Sequence, residues 1–175
     1  MIKVIMFFDQ IQSGFGTKDD KMISLGGSKE LLGPAVTLSP MLKEIDAKVV
    51  ACFYCGNGTY FEDPEEISRK ICAKLDKLNP DIVICGPSFN YEDYSKMCAK
   101  ICYDINTKTK VKSFAAMSKE NEEIISEYKD KILIVETPKK GGVGLNDSFR
   151  NIVSVVKKLH DGKDSETIRN ESCFK

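Results

Sequence analysis

The stretch Val49-Val50-Ala51-Cys52-Phe53-Tyr54-Cys55-Gly56-Asn57-Gly58-Thr59-Tyr60-Phe61 runs apolar, then breaks at a Cys-Gly pair into small, amide and aromatic residues. Thirty residues on, Ile82-Val83-Ile84-Cys85-Gly86-Pro87-Ser88-Phe89-Asn90-Tyr91 repeats the pattern. Two strands therefore end in loops of the same kind. In open α/β sheets ligands bind outside the carboxyl ends of strands, so these loops are the first place to look for chemistry.

Working outward, apolar runs at Ile2–Phe8, Val111–Ala115 and Ile132–Val135 read as three further strands, and helical periodicity fills most of the gaps. Strands alternating with helices argue for a parallel sheet covered on both faces. The expected fold is a three-layer α/β sandwich with a five-stranded parallel sheet. It is doubly wound, Rossmann- or flavodoxin-like, in the order 2-1-3-4-5.

The helix with the best-marked ends takes Asp63 as N-cap, Pro64 at N1 and Glu66 at N3, and stops at Asn79-Pro80. A second, from about Tyr91 to Thr107, carries Tyr94, Met97, Cys98, Ile101, Cys102 and Ile105 on one stripe. Asp147–His160 reads as a third, and Leu32–Ile45 as a helix interrupted by Pro34 and Pro40. A short one is expected over Asn121–Tyr128. Residues 1–162 are expected to form one α/β domain, with 163–175 a polar tail that frays except for a docking point at Cys173-Phe174.

Length and composition fit that single domain: 175 residues, 42% hydrophobic. The 26 basic and 26 acidic residues cancel and no block of like charge occurs, which argues against nucleic acid or an anionic membrane as partner. No run approaches the ~20 apolar residues of a membrane span. Seven cysteines without an export signal read as reduced thiols of a cytoplasmic protein rather than a disulfide framework.

The connection from Asp9 to Leu31 is long and holds Gly14, Gly16, Gly26 and Gly27 without periodicity. It is either a lid over the crevice or partner contact, or a flexible insertion. Gly14-Phe15-Gly16 lacks the third glycine of a dinucleotide fingerprint, Asp19 standing in its place, and no phosphate loop occurs. No cofactor is evident from the motifs.

Cys52 and Cys55 form a C-x-x-C, but three apart on a strand they point to opposite faces. With His160 the lone histidine, no metal site is expected. Cys98 and Cys102, one helical turn apart, read as buried hydrophobes. Cys55 and Cys85 remain the candidate catalytic thiols, each at a strand end near a helix start; the competing reading is that they are small residues needed for tight packing. Gln10, Gly56, Asn57, Tyr60, Gly86, Asn90 and Tyr94 are the candidate substrate- or partner-binding residues. Asn90 can equally cap the helix beside it.

Taken together, Gln10 with its glycine-bearing loop, Leu32-Gly33-Pro34, Cys55 to Phe61, Gly86 to Asn90 with Tyr94, Cys98 and Cys102, and Met117 with Glu120-Asn121 resemble the selenoprotein B component of glycine, sarcosine and betaine reductases. The resemblance covers the first half of such proteins; the half that carries their selenocysteine has no counterpart in these residues. It implies a component of a complex performing reductive C–N cleavage on a small amino-acid-type substrate, with pyruvoyl-containing or selenocysteine-containing subunits as partners. Two other readings stand beside it: a non-catalytic small-molecule or protein-binding module, alone or as a homo-oligomer, and a flavodoxin-type electron carrier.

Overall fold

The computed structural model describes all residues from Met1 to Lys175. Five strands run parallel: β1 (Ile2–Phe8), β3 (Ala47–Tyr54), β4 (Ile82–Cys85), β5 (Lys112–Ser118) and β6 (Ile134–Thr137). A sixth, β2 (Gly26–Ser28), pairs antiparallel with the end of β3, and the sheet order is β2-β3-β1-β4-β5-β6. The five-stranded all-parallel sheet is thus corrected to a six-stranded mixed one. The five expected strands keep their order within it, and the addition is one edge strand. Gly-Gly-Ser carries no apolar alternation, so its strand state comes from pairing with Tyr54, Phe53 and Cys52.

Strand β1 is central and buried except at Lys3. Its side chains alternate between two cores: Ile5 and Phe7 on one face, Val4, Met6 and Phe8 on the other. Val50 is an extra residue in β3, because Val4 faces Val49 while Ile5 faces Ala51. Past this bulge Cys52 joins one core and Cys55 the other, opposite faces as the spacing demands.

Helices α1 (Pro34–Lys43) and α6 (Leu145–His160) cover the Met6 face; α3 (Pro64–Leu78), α4 (Glu92–Lys108) and α5 (Glu122–Tyr128) cover the Phe7 face. Helix α3 has the ends its sequence specifies: the Asp63 carboxylate accepts the Glu66 N–H at 3.3 Å, and Asn79 closes it in the left-handed region at φ 47°. Two helices fall where the sequence reads as irregular. Asn57–Glu62 forms the six-residue α2, and Ser165–Ser172 forms α7 in the segment expected to fray. Helix α7 starts at Asp164, which caps Thr167 N at 2.9 Å, and it buries Ile168 completely. Just beyond it the Phe174 N–H donates to Ile134 O at 2.9 Å, a contact at the free edge of β6. No helix is long and apolar enough to cross a membrane.

Candidate functional site

A central strand whose neighbours connect to opposite faces leaves a crevice at its carboxyl end. Here that strand is β1, between β3 and β4, and the crevice is a cleft of about 220 Å3. Asp9, Gln10 and Ile11 come to it directly from β1, Lys18 and Lys21 from the long first connection, Asn57 from the start of α2, and Tyr91 to Tyr94 from the start of α4.

The first connection is strapped across this end of the sheet. Gly56 N donates to Ile23 O at 2.8 Å, Thr59 N to Lys21 O at 3.1 Å, and Thr59 Oγ1 to Ile23 O at 2.9 Å. A Cβ on Gly56 would stand 2.1 Å from Lys21 O, so only glycine admits the crossing chain. Phe15 packs on Tyr54 with ring centroids 4.5 Å apart. Gln10 ties the arrangement together: its Oε1 accepts Asn57 N at 3.2 Å and its Nε2 donates to Lys18 O at 3.5 Å.

Of the residues singled out from sequence, Gln10, Asn57 and Tyr94 meet at the cleft. Tyr94 contributes ring surface only, because its hydroxyl turns inward and donates to Phe7 O at 2.9 Å. Asn90 reaches elsewhere: it does not cap α4, and its Oδ1 accepts Lys140 N at 2.9 Å beside a neighbouring polar cleft lined by Glu120 and Asn121. Gly86, at φ 117°, is held against β5, where an added Cβ would sit 2.8 Å from Ala116 O. Tyr60 is fully buried against Phe61, and its hydroxyl finds no partner.

The two strand-end thiols lie in the core beneath the cleft. Burial pushes the Cys55 thiol up to about 12, and it donates to Gly56 O at 3.4 Å. Cys85 is raised by a hydrogen bond with Cys102 and by full burial, and burial raises Cys98 likewise. With β1 between them, Cys55 and Cys85 are two strand spacings, about 10 Å, apart, beyond disulfide reach. As placed, neither is a thiolate open to solvent.

The sequence reading passed over Asp9, Lys18, Lys21, Glu92 and Asp93. Asp9 is the informative omission: it is 1% exposed, its Oδ1 accepts Gln12 N at 2.8 Å, and burial raises its pKa against the opposing pull of nearby backbone N–H groups. A carboxylate directly after a strand apolar but for Lys3 was the available signal. Nowhere do three or more His, Cys, Asp or Glu side chains converge in a metal-binding arrangement.

The family model described as glycine/sarcosine/betaine reductase selenoprotein B matches residues 1–175. A sarcosine reductase complex component B subunit beta from Peptoclostridium acidaminophilum is 25% identical over 162 residues, 93% of this chain and 36% of that protein. A glycine reductase complex component B subunit gamma from Carboxydothermus hydrogenoformans is 26% identical over 128 residues, 73% of this chain and 29% of that protein. This chain thus spans about a third of the length of the curated relatives it matches. No solved structure matches it. With the whole of its length matched, the chain belongs to the glycine/sarcosine/betaine reductase selenoprotein B family.

Proposed function

We propose that this chain supplies a substrate-binding domain to a complex of the glycine- or sarcosine-reductase type, in which a C–N bond of a small amino-acid-type substrate is cleaved reductively. One observation carries the reading: in a chain matched from end to end by the family, the topological switch point holds a small cleft walled by the buried polar side chains Asp9, Gln10 and Asn57. Its size suits a compact metabolite. The reducing centre comes from outside these residues, since they hold no selenocysteine and their strand-end thiols are buried. Gln10 and Asn57 bind, and Gly56 and Gly86 shape the backbone around them. Cys55, Cys85, Tyr60 and Tyr94 pack the floor, and Asn90 orders the loop that holds Lys140. The partners are a pyruvoyl-containing subunit and a selenocysteine-containing one, met in the cytoplasm.

The test is reconstitution with those two subunits. Co-elution as one complex, with reductase activity that disappears when this chain is omitted, is the expected result. The burial of all the strand-end thiols also favours a second reading, a non-catalytic binding module. It predicts a stable lone oligomer carrying a bound metabolite, and activity of the partner subunits unaffected by this chain.

A further inference from the structure

Strand β2 is the outer member of the sheet, with β3 as its single neighbour. Cys55 N donates to Phe8 O, so along β3 Phe53 turns its backbone groups toward β1, while Tyr54 and Cys52 turn theirs toward β2. Their partners Gly26 and Ser28 face inward, and the N–H and C=O of the exposed Gly27 between them point out of the sheet. Sheet edges are normally blunted, since an open one accepts another chain. Here the protection is shortness: three residues offer too few hydrogen bonds to hold a chain without a side-chain anchor.

Such an anchor point lies beside the strand. A pocket of about 260 Å3 opens on the α3 side of β2, floored by Leu25, Phe53 and Ile71 and rimmed by Lys70 and Lys74. Glycine at position 27 keeps it open, because a Cβ there would stand 3.3 Å from Phe53 Cδ1. The space suits one branched aliphatic side chain. No carboxylate lines it. Lys74 is exposed and has no ion-pair partner. Lys70 comes only to 4.0 Å from Glu66 Oε1, an oxygen that Arg69 already holds at 2.7 Å.

We propose that the edge of β2 docks an extended acidic segment of a partner protein as an added strand, with one aliphatic side chain in the pocket and carboxylates against Lys70 and Lys74. Residues two apart on a strand share a face, so a segment with acidic residues two positions before and after the aliphatic one presents all three to α3. A second copy of this chain is the worse occupant. Antiparallel pairing of β2 with itself sets the two-fold axis perpendicular to the sheet, which brings both α3 helices to one face and their lysines toward each other. The pocket shares no lining residue with the crevice at the end of β1, so the inference does not depend on what that crevice binds.

The test is a titration of the isotope-labelled full chain, followed by amide resonances, with a blocked peptide Thr-Glu-Thr-Leu-Thr-Glu-Thr at up to millimolar concentration. Two derivatives carry N-methyl groups, one on the glutamates and leucine, the other on the inner threonines; in a strand only one of these sets of N–H groups faces β2. Saturable shifts at Leu25, Gly27 and Lys74 are expected, with binding lost in one methylated derivative and kept in the other. Affinity should fall about tenfold or more when lysine replaces glutamate in the peptide, and likewise in the double variant Lys70→Glu, Lys74→Glu. Both lysines are exposed, and the peptide arms need no variant. Absence of saturable shifts, equal affinity for the glutamate and lysine peptides, or equal affinity of the two methylated derivatives overturns the proposal. So does a chain that, without peptide, sediments as a dimer with concentration-dependent shifts at Gly27, which would give the edge to a second copy. A chain that assembles with its partner subunits yet ignores the peptide keeps the proposed function and loses only this inference.

Discussion

The side-chain oxygen of Gln10 accepts the backbone N–H of Asn57 at 3.2 Å, so the first residue of α2 is capped from 47 positions away in the chain. Gly56, the local N-cap, has no side chain to do it. Gln10→Ala therefore leaves a buried N–H without an acceptor and should cost about 1–2 kcal/mol. The measurement is a shift of the urea midpoint at unchanged slope, together with faster hydrogen exchange at Asn57. An unshifted midpoint would mean that water replaces the amide oxygen.

Gly56 is where the first connection crosses the sheet. Gly56→Ala drives a methyl group into Lys21 O, a backbone atom that cannot swing away, and should destabilise by about 1–3 kcal/mol. The damage should be local first: residues 17–24 lose their anchors on Gly56 and Thr59 and become the preferred site of limited proteolysis. Cleavage elsewhere, with that segment still protected, would contradict the strapping role.

Helix α3 was legible because Asp63, Pro64, Glu66 and Asn79 each act within one turn of where they stand. Helix α2 was not, because its cap is Gln10, reached only after the chain folds. Strand β2 was hidden for the same reason, its three residues borrowing their conformation from β3. Helix α7 reads as polar tail since a single residue, Ile168, makes most of its apolar docking, helped by Lys158 reaching Glu171 at 2.8 Å. The position of the crevice followed from strand order, and Gln10 and Asn57 followed from the position. Asp9 escaped notice because a carboxylate after a strand looks like an ordinary loop start until its burial is known.

Tyr60 buries a hydroxyl among apolar neighbours with nothing to bond. Burial without a partner is unfavourable, so Tyr60→Phe should leave stability equal or raise it by about 1 kcal/mol, with a small rise in Tm and no change at the cleft. A loss of stability would reveal a partner for the hydroxyl, such as an ordered water.

Cysteine reactivity should follow depth. Cys55, Cys85 and Cys98 are buried with raised pKa values; burial pushes the Cys173 thiol up to about 11 as well, but it alone among the seven is partly exposed, so access decides the order. Iodoacetamide at pH 8 should modify Cys173 first and the other three only in denaturant, as read by peptide mass spectrometry. Native labelling of Cys55 or Cys85 would support a catalytic role for that thiol.

Asp9 makes stability depend on pH in a direction opposite to most carboxylates. Burial raises its pKa above the ordinary 3.8, so the folded chain holds the proton more tightly than the unfolded chain does. The stabilising contribution of the protonated form is complete below 3.8 and is lost as pH rises through the folded-state value. The backbone N–H groups of the turn, Gln12 first, oppose the rise; the charged groups lining the same cleft are Lys18 and Lys21 from the first connection and Glu92 and Asp93 from α4, with Tyr94 and Cys98 close by. Asp9→Asn has no charge to desolvate and should therefore gain on the native chain as pH climbs from 4 to 7, ending the more stable of the two in urea unfolding. If Asp9→Asn is no more stable than the native chain at neutral pH, the backbone N–H groups around the carboxylate offset the cost of its burial in full.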